Sequence, residues 1–153
     1  KELSFVQNIL HLRKFQAGES VFRQGEVGVG MYIVVKGAVQ IYLTDSKALS
    51  KELQEVFITT LSDGDFFGEL SLVEEDGIRS ASAVCKDECW LVGFFKPDLM
   101  EILERNPATG VKIVFRLAEV LGHRLKETTE KVSELRQALH EVRRPPALDR
   151  HGE

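Results

Sequence analysis

Between positions 12 and 95 the apolar residues come in short runs, some alternating with polar residues and some unbroken, and glycine turns separate one run from the next. A period of two in segments this short predicts strands rather than helices. The predicted strands span 12–15, 20–23, 31–36, 38–43, 56–61, 65–67, 80–85 and 88–94. Gln16-Ala17-Gly18-Glu19, Gln24-Gly25-Glu26, Lys36-Gly37 and Ser62-Asp63-Gly64-Asp65 are predicted turns, because glycine accepts the left-handed backbone that tight turns demand. The polar stretch 45–52 reads as a loop, and residues 2–10 as a short amphipathic helix. Strands at this spacing predict an all-β jelly roll or antiparallel barrel.

The period changes at Lys96. Pro97 and Asp98 suit a first helical turn, where a missing N–H costs nothing and a carboxylate complements the dipole, so a helix is predicted over 98–104. Asn106-Pro107 ends it, and Pro107 opens a second helix running to about Val142 before Pro145-Pro146. On that second helix Val111, Ala118, Leu125, Val132 and Leu139 occupy heptad position a. Val114, Leu121, Thr128, Leu135 and Val142 occupy d, so Thr128 is the one polar residue in the seam. Packing on the chain's own β-domain accounts for the turns up to Leu121. The later turns reach past a domain this small, since residues 107–142 extend ~54 Å at ~1.5 Å per residue. A strict seven-residue repeat of this length predicts a two-stranded coiled coil, and hence a homodimer through residues 111–142.

Composition narrows the possible functions. The chain has 153 residues, 43% apolar and 29% charged, with a net charge of −4, as in an ordinary soluble domain with one core. An acidic balance argues against a nucleic-acid surface. No apolar run is long enough to span a bilayer, and no signal-peptide pattern opens the chain, so no membrane association and a cytoplasmic location are expected. Cys85 and Cys89 are too few for a disulfide scaffold or a zinc site. The polar Lys86-Asp87-Glu88 reads as a hairpin turn, so the two thiols are expected to face each other across a β-ladder, as structural thiols or as a redox pair. No Ser–His–Asp, metal or Walker-type pattern is visible, so no enzyme, metal or cofactor is expected. The segment 143–153, rich in proline and charge, reads as a disordered tail.

The most informative stretch is Phe67-Gly68-Glu69-Leu70-Ser71-Leu72, six residues, then Arg79-Ser80-Ala81-Ser82. Gly68 lets backbone approach a ligand closely because it has no Cβ. A short helix predicted over 69–73 offers N–H groups to an anion. Arg79 supplies a planar, permanently charged fork, and ionised Glu69 accepts hydrogen bonds from hydroxyls. The combination suits a small anion that carries hydroxyls, although the pair also reads as an internal Glu69–Arg79 ion pair.

These residues resemble the phosphate-binding cassette of cyclic-nucleotide-binding domains, whose pattern is roughly Phe-Gly-Glu-Leu-small-Leu, a short loop, then Arg-Ser/Thr-Ala. The resemblance is nearest to the ligand domain of the catabolite-activator type, without its DNA-binding domain. It implies a mainly β fold, a double-stranded β-helix (jelly roll) over residues 1–105 with flanking helices. The cassette would lie between the sixth and seventh strands, and a dimerisation helix over 106–142 would precede the tail. Cyclic AMP or cyclic GMP is the implied ligand. Glu69 would hold the ribose 2′-hydroxyl, Arg79 and Ser80 the cyclic phosphate, and amides near Gly68 to Leu70 the pocket edge, with Phe67, Ser71 and Ala81 completing the motif. The segment 124–132 resembles the family's central helix, so Thr128 and Thr129 would cap the purine, one residue from each subunit. The implied function is a regulatory module that couples ligand binding to helix and dimer rearrangement. A transcription regulator missing its helix-turn-helix, a ligand-free scaffold, and a haem or iron–sulfur sensor of the same superfamily are the alternatives.

Overall fold

The computed structural model describes residues 10–44 and 55–143. The expected loop at 45–52 lies outside the described residues, as do the helix expected over 2–10 apart from Leu10 and the tail expected over 143–153 apart from Arg143. Among the described residues, eight strands form two antiparallel four-stranded sheets. They are β1 (His11–Phe15), β2 (Ser20–Phe22), β3 (Gly30–Lys36), β4 (Val39–Thr44), β5 (Glu55–Leu61), β6 (Phe66–Phe67), β7 (Ser82–Cys85) and β8 (Cys89–Phe95). One sheet has the order β1-β8-β3-β6 and the other β2-β7-β4-β5, so the chain crosses repeatedly between layers as a jelly roll does.

Alternation along the strands builds the core. In β7, Ala83 and Cys85 point inward and their neighbours do not. With Val39 of β4 they meet Tyr32, Val34, Phe67, Cys89 and Leu91 of the other sheet. Side chains from both inner faces interdigitate, which holds the two layers together through apolar burial.

Two expectations need correction. β7 and β8 lie in different sheets, so Cys85 and Cys89 are not ladder partners. Cys85 stands opposite Val39, and Cys89 opposite Phe15. The turn 86–88 carries the chain from one layer to the other, and the two thiols, both free and buried, meet across the core. The seventh strand begins at Ser82, two residues later than predicted. Upstream of it, the backbone of Arg79 bonds to the Gly25–Glu26 turn instead: its N–H donates to Glu26 O at 2.8 Å, and its carbonyl accepts from Gly25 N–H at 2.9 Å.

Among the described residues, three helices follow or interrupt the strands: α1 (Leu70–Val73), α2 (Lys96–Arg105) and α3 (Pro107–Val142). α2 starts at Lys96 because the Asp98 carboxylate accepts the Phe95 N–H at 2.9 Å and closes the first turn. Asn106 stops α2 and caps α3, its Oδ1 accepting the Thr109 N–H at 3.2 Å. Pro107 takes the first position of α3, which is 36 residues long. The chain divides into two compact units, with the boundary between Gly110 and Val111.

Candidate functional site

The loop joining β6 to β7 is built outward from the core. Phe67 is buried and its ring stacks on Tyr32, with centroids 5.8 Å apart. This contact anchors the N-terminal end of the loop. The next residue, Gly68, turns the chain with φ of +75°. A side chain there would be strained, and its Cβ would lie 2.5 Å from Arg79 Nη1. Glu69 takes helical dihedrals just ahead of α1. The turn then closes on itself, with Ser71 N–H on Gly68 O at 3.3 Å and Leu72 N–H on Glu69 O at 3.0 Å.

Among the described residues, the buried polar or charged side chains are Glu69, Ser71 and Arg79, all in this loop. Removing such groups from water is unfavourable unless partners replace the lost hydration. The Arg79 guanidinium donates through Nη1 to Gly68 O and to Ser71 Oγ, each at 2.9 Å. Ser71 Oγ in turn donates to Gly77 O at 3.2 Å. The hydrogen bonds of Arg79 therefore run to a carbonyl and a hydroxyl, while Glu69 acts on it through its charge. Burial lowers the Arg79 pKa from its ordinary value, and the neighbouring Tyr32 hydroxyl and the Glu26 and Glu69 carboxylates oppose that shift. Arg79 Nε has no hydrogen-bond partner. The site thus holds a desolvated cation with an unpaired buried donor, and an anion beside it would balance the charge.

The loop brings Phe67, Gly68, Glu69, Leu70, Ser71, Arg79, Ser80 and Ala81 together within the first unit. Leu70 and Ala81 are half-buried, and Ser80 is exposed. Thr128 and Thr129 lie on α3 in the second unit, both exposed. Each hydroxyl donates back to its own helix, Thr128 to Arg124 O at 2.7 Å and Thr129 to Leu125 O at 2.8 Å. On the same helix the heptad residues Val111, Val114, Leu125, Val132, Leu135 and Leu139 are exposed.

Sequence reasoning missed two neighbours of Arg79. The Phe22 ring lies under the guanidinium, with Cζ 4.0 Å from its centroid. Gly28 comes so close that a Cβ would overlap Cζ and Nε of Arg79. The Val27-Gly28-Val29-Gly30 repeat was the only available signal, and it carried no motif. Among the described residues there is no group of His, Cys, Asp and Glu side chains that could hold a metal ion, and no helix is long and apolar enough to cross a membrane.

A jelly roll with a glycine turn, a buried carboxylate and a buried arginine between its sixth and seventh strands defines a class. The chain belongs to the cyclic nucleotide-binding domain family, whose model matches residues 12–106. It is 32% identical to the cAMP-activated global transcriptional regulator CRP of Salmonella typhimurium over 125 residues, 82% of this chain and 55% of that regulator. It is likewise 32% identical over 127 residues to the cyclic AMP receptor protein of Thermus thermophilus, covering 83% of this chain and 54% of that protein. The crystal structure of the Thermus thermophilus catabolite activator protein matches with a TM-score of 0.73 at 30% identity, over 88% of this chain and 58% of that one. A cyclic nucleotide-binding domain from Methylobacillus flagellatus shares the fold, with a TM-score of 0.77 at 19% identity, over 87% and 71% of the two chains. The chain spans about half the length of the curated relatives it matches.

Proposed function

We propose that this chain is a non-enzymatic sensor that binds cyclic AMP through the β6–β7 loop. The observation that carries the reading is Arg79, a buried guanidinium whose Nε lacks a partner, held against Gly68 and Ser71 beside Glu69. In this reading Arg79 and Ser80 bind the cyclic phosphate and Glu69 accepts from the ribose hydroxyl. Cyclic AMP is favoured over cyclic GMP by the names of the relatives, which specify it.

The signal is proposed to pass through α3, whose exposed apolar seam fits a second copy of the chain in a parallel coiled coil. A ligand that contacts the dimer better in one arrangement shifts the population toward it. A second reading, that the chain is the sensing part of a catabolite-activator-type transcription regulator, is supported by the 32% identity to CRP. Free, buried thiols fit a cytoplasmic setting.

Calorimetric titration with both nucleotides tests the reading. The parent is expected to bind cyclic AMP more tightly than cyclic GMP. Arg79→Leu removes a charge-assisted contact of about 1.5–3 kcal/mol, a loss of ~10- to 150-fold. A parent that ignores cyclic AMP, or an Arg79→Leu variant that binds as the parent does, rejects it.

A further inference from the structure

We infer that Phe22 and Gly28 form a bed that positions the Arg79 guanidinium for an anion, with the Phe22 ring supporting one face and the bare Gly28 backbone leaving room beside it. The inference rests on the assignment of Arg79 to the ligand phosphate. Cζ of Arg79 lies 4.0 Å above the Phe22 ring centroid, within cation–π range. Phe22 is held in turn by Phe67, with centroids 5.7 Å apart, and by Tyr32, at 6.3 Å. The ring that supports the arginine is therefore fixed by the core.

Gly28 is placed by backbone pairing. Its N–H donates to Gly77 O at 2.8 Å, and Val27 bridges Ile78. This pairing sets residues 27–28 beside 77–79 and brings Gly28 against Cζ and Nε of Arg79. The φ of Gly28 is outside the left-handed range, so alanine is compatible with its backbone and would act through the space it takes from the arginine. Phe22 and Gly28 thus both constrain Cζ, while Nη1 is fixed by Gly68 O and Ser71 Oγ. Nε is left as a buried donor without a partner. An arginine fixed before its ligand arrives loses less side-chain freedom on binding, which is where the affinity gain comes from.

The test is cyclic AMP titration of Phe22→Leu, Phe22→Tyr and Gly28→Ala, each alone and in an Arg79→Leu background. Phe22→Leu keeps apolar bulk and removes the ring, and a loss of ~3- to 30-fold is expected. Phe22→Tyr keeps the ring face and should retain most of the affinity. Gly28→Ala should weaken binding because the new methyl displaces the guanidinium. In the Arg79→Leu background, Phe22→Leu and Gly28→Ala should have no further effect, since their action runs through the arginine. The Arg79 Nε–H resonance should carry a ring-current shift that Phe22→Leu abolishes. If Phe22→Leu fails to fold, Gly28→Ala decides alone. Should Arg79→Leu lose binding while Gly28→Ala binds as the parent does, or should either effect persist without Arg79, the positioning role is overturned and the phosphate assignment stands. If Arg79→Leu binds normally, the assignment itself falls.

Discussion

Gly68 sits where two demands meet. Its φ of +75° suits glycine, and its missing Cβ clears the space that Arg79 Nη1 occupies 2.5 Å from where the Cβ would be. Gly68→Ala is therefore expected to lower stability by about 1–2 kcal/mol and to weaken cyclic AMP binding. Thermal unfolding with parallel titration measures both, and an unchanged midpoint would contradict the strain. A second residue-scale expectation concerns the core thiols. Burial, reinforced by the hydrogen bond with Cys89, pushes the Cys85 pKa from 9.0 up to about 12. The sign follows from linkage. The folded thiol stays neutral while the unfolded one ionises, so its contribution is fully present below 9.0 and is lost as pH rises toward about 12. Between about pH 7.5 and about pH 10.5 the unfolding midpoint of the parent should fall more than that of Cys85→Ala. Equal falls would show that the thiol is not kept neutral by its surroundings. At this scale Glu69, Ser71 and Arg79 were legible, because a motif fixes their types and order. Phe22 and Gly28 were not, since their relation to Arg79 exists only after β2, the 25–28 turn and the 77–79 segment come together.

The junction between α2 and α3 was the most readable boundary, although α2 begins at Lys96, two residues earlier than predicted. Asn106-Pro107 both stops α2 and starts α3, and the Asn106 side chain caps the new helix. Removing that cap with Asn106→Ala is expected to cost about 1 kcal/mol, measured as a lower unfolding midpoint with a fraying first turn of α3 by hydrogen exchange. Strand interiors were equally clear, but strand ends moved. β7 starts at Ser82 because Arg79 spends its backbone groups on the 25–26 turn, a long-range competition that no local pattern encodes. The cysteines failed as a local reading for a related reason. A polar triplet between apolar runs looks like a hairpin whether the chain stays in one sheet or crosses to the next. Here it crosses.

At the scale of the whole molecule, the proposed dimer rests on the apolar surface of α3. Leu125, Leu135 and Leu139 are 68%, 70% and 52% exposed, more apolar surface than an isolated helix in water ordinarily leaves bare. Leu135→Lys places a charge at a d position of the proposed seam. It is expected to convert a dimer to a monomer in sedimentation equilibrium while the unit ending at Gly110 keeps its fold. A parent that is already monomeric at high concentration would remove the dimer from the proposal, and the ligand site would be unaffected.

The amino-acid order alone determined the strand interiors, the α2–α3 junction, the heptad spacing and the residue types of the cassette, because each is written in spacings of a few residues. Tertiary structure decided which sheet each strand joins, that Cys85 and Cys89 meet across layers, and that Phe22 and Gly28 flank Arg79. Those relations join positions far apart in the chain, 57 residues between Phe22 and Arg79 (79 − 22 = 57) and 82 between the paired His11 and Gly93 (93 − 11 = 82). Local periodicity reports which face of an element is apolar, while the neighbour that covers that face is chosen only when the chain closes on itself.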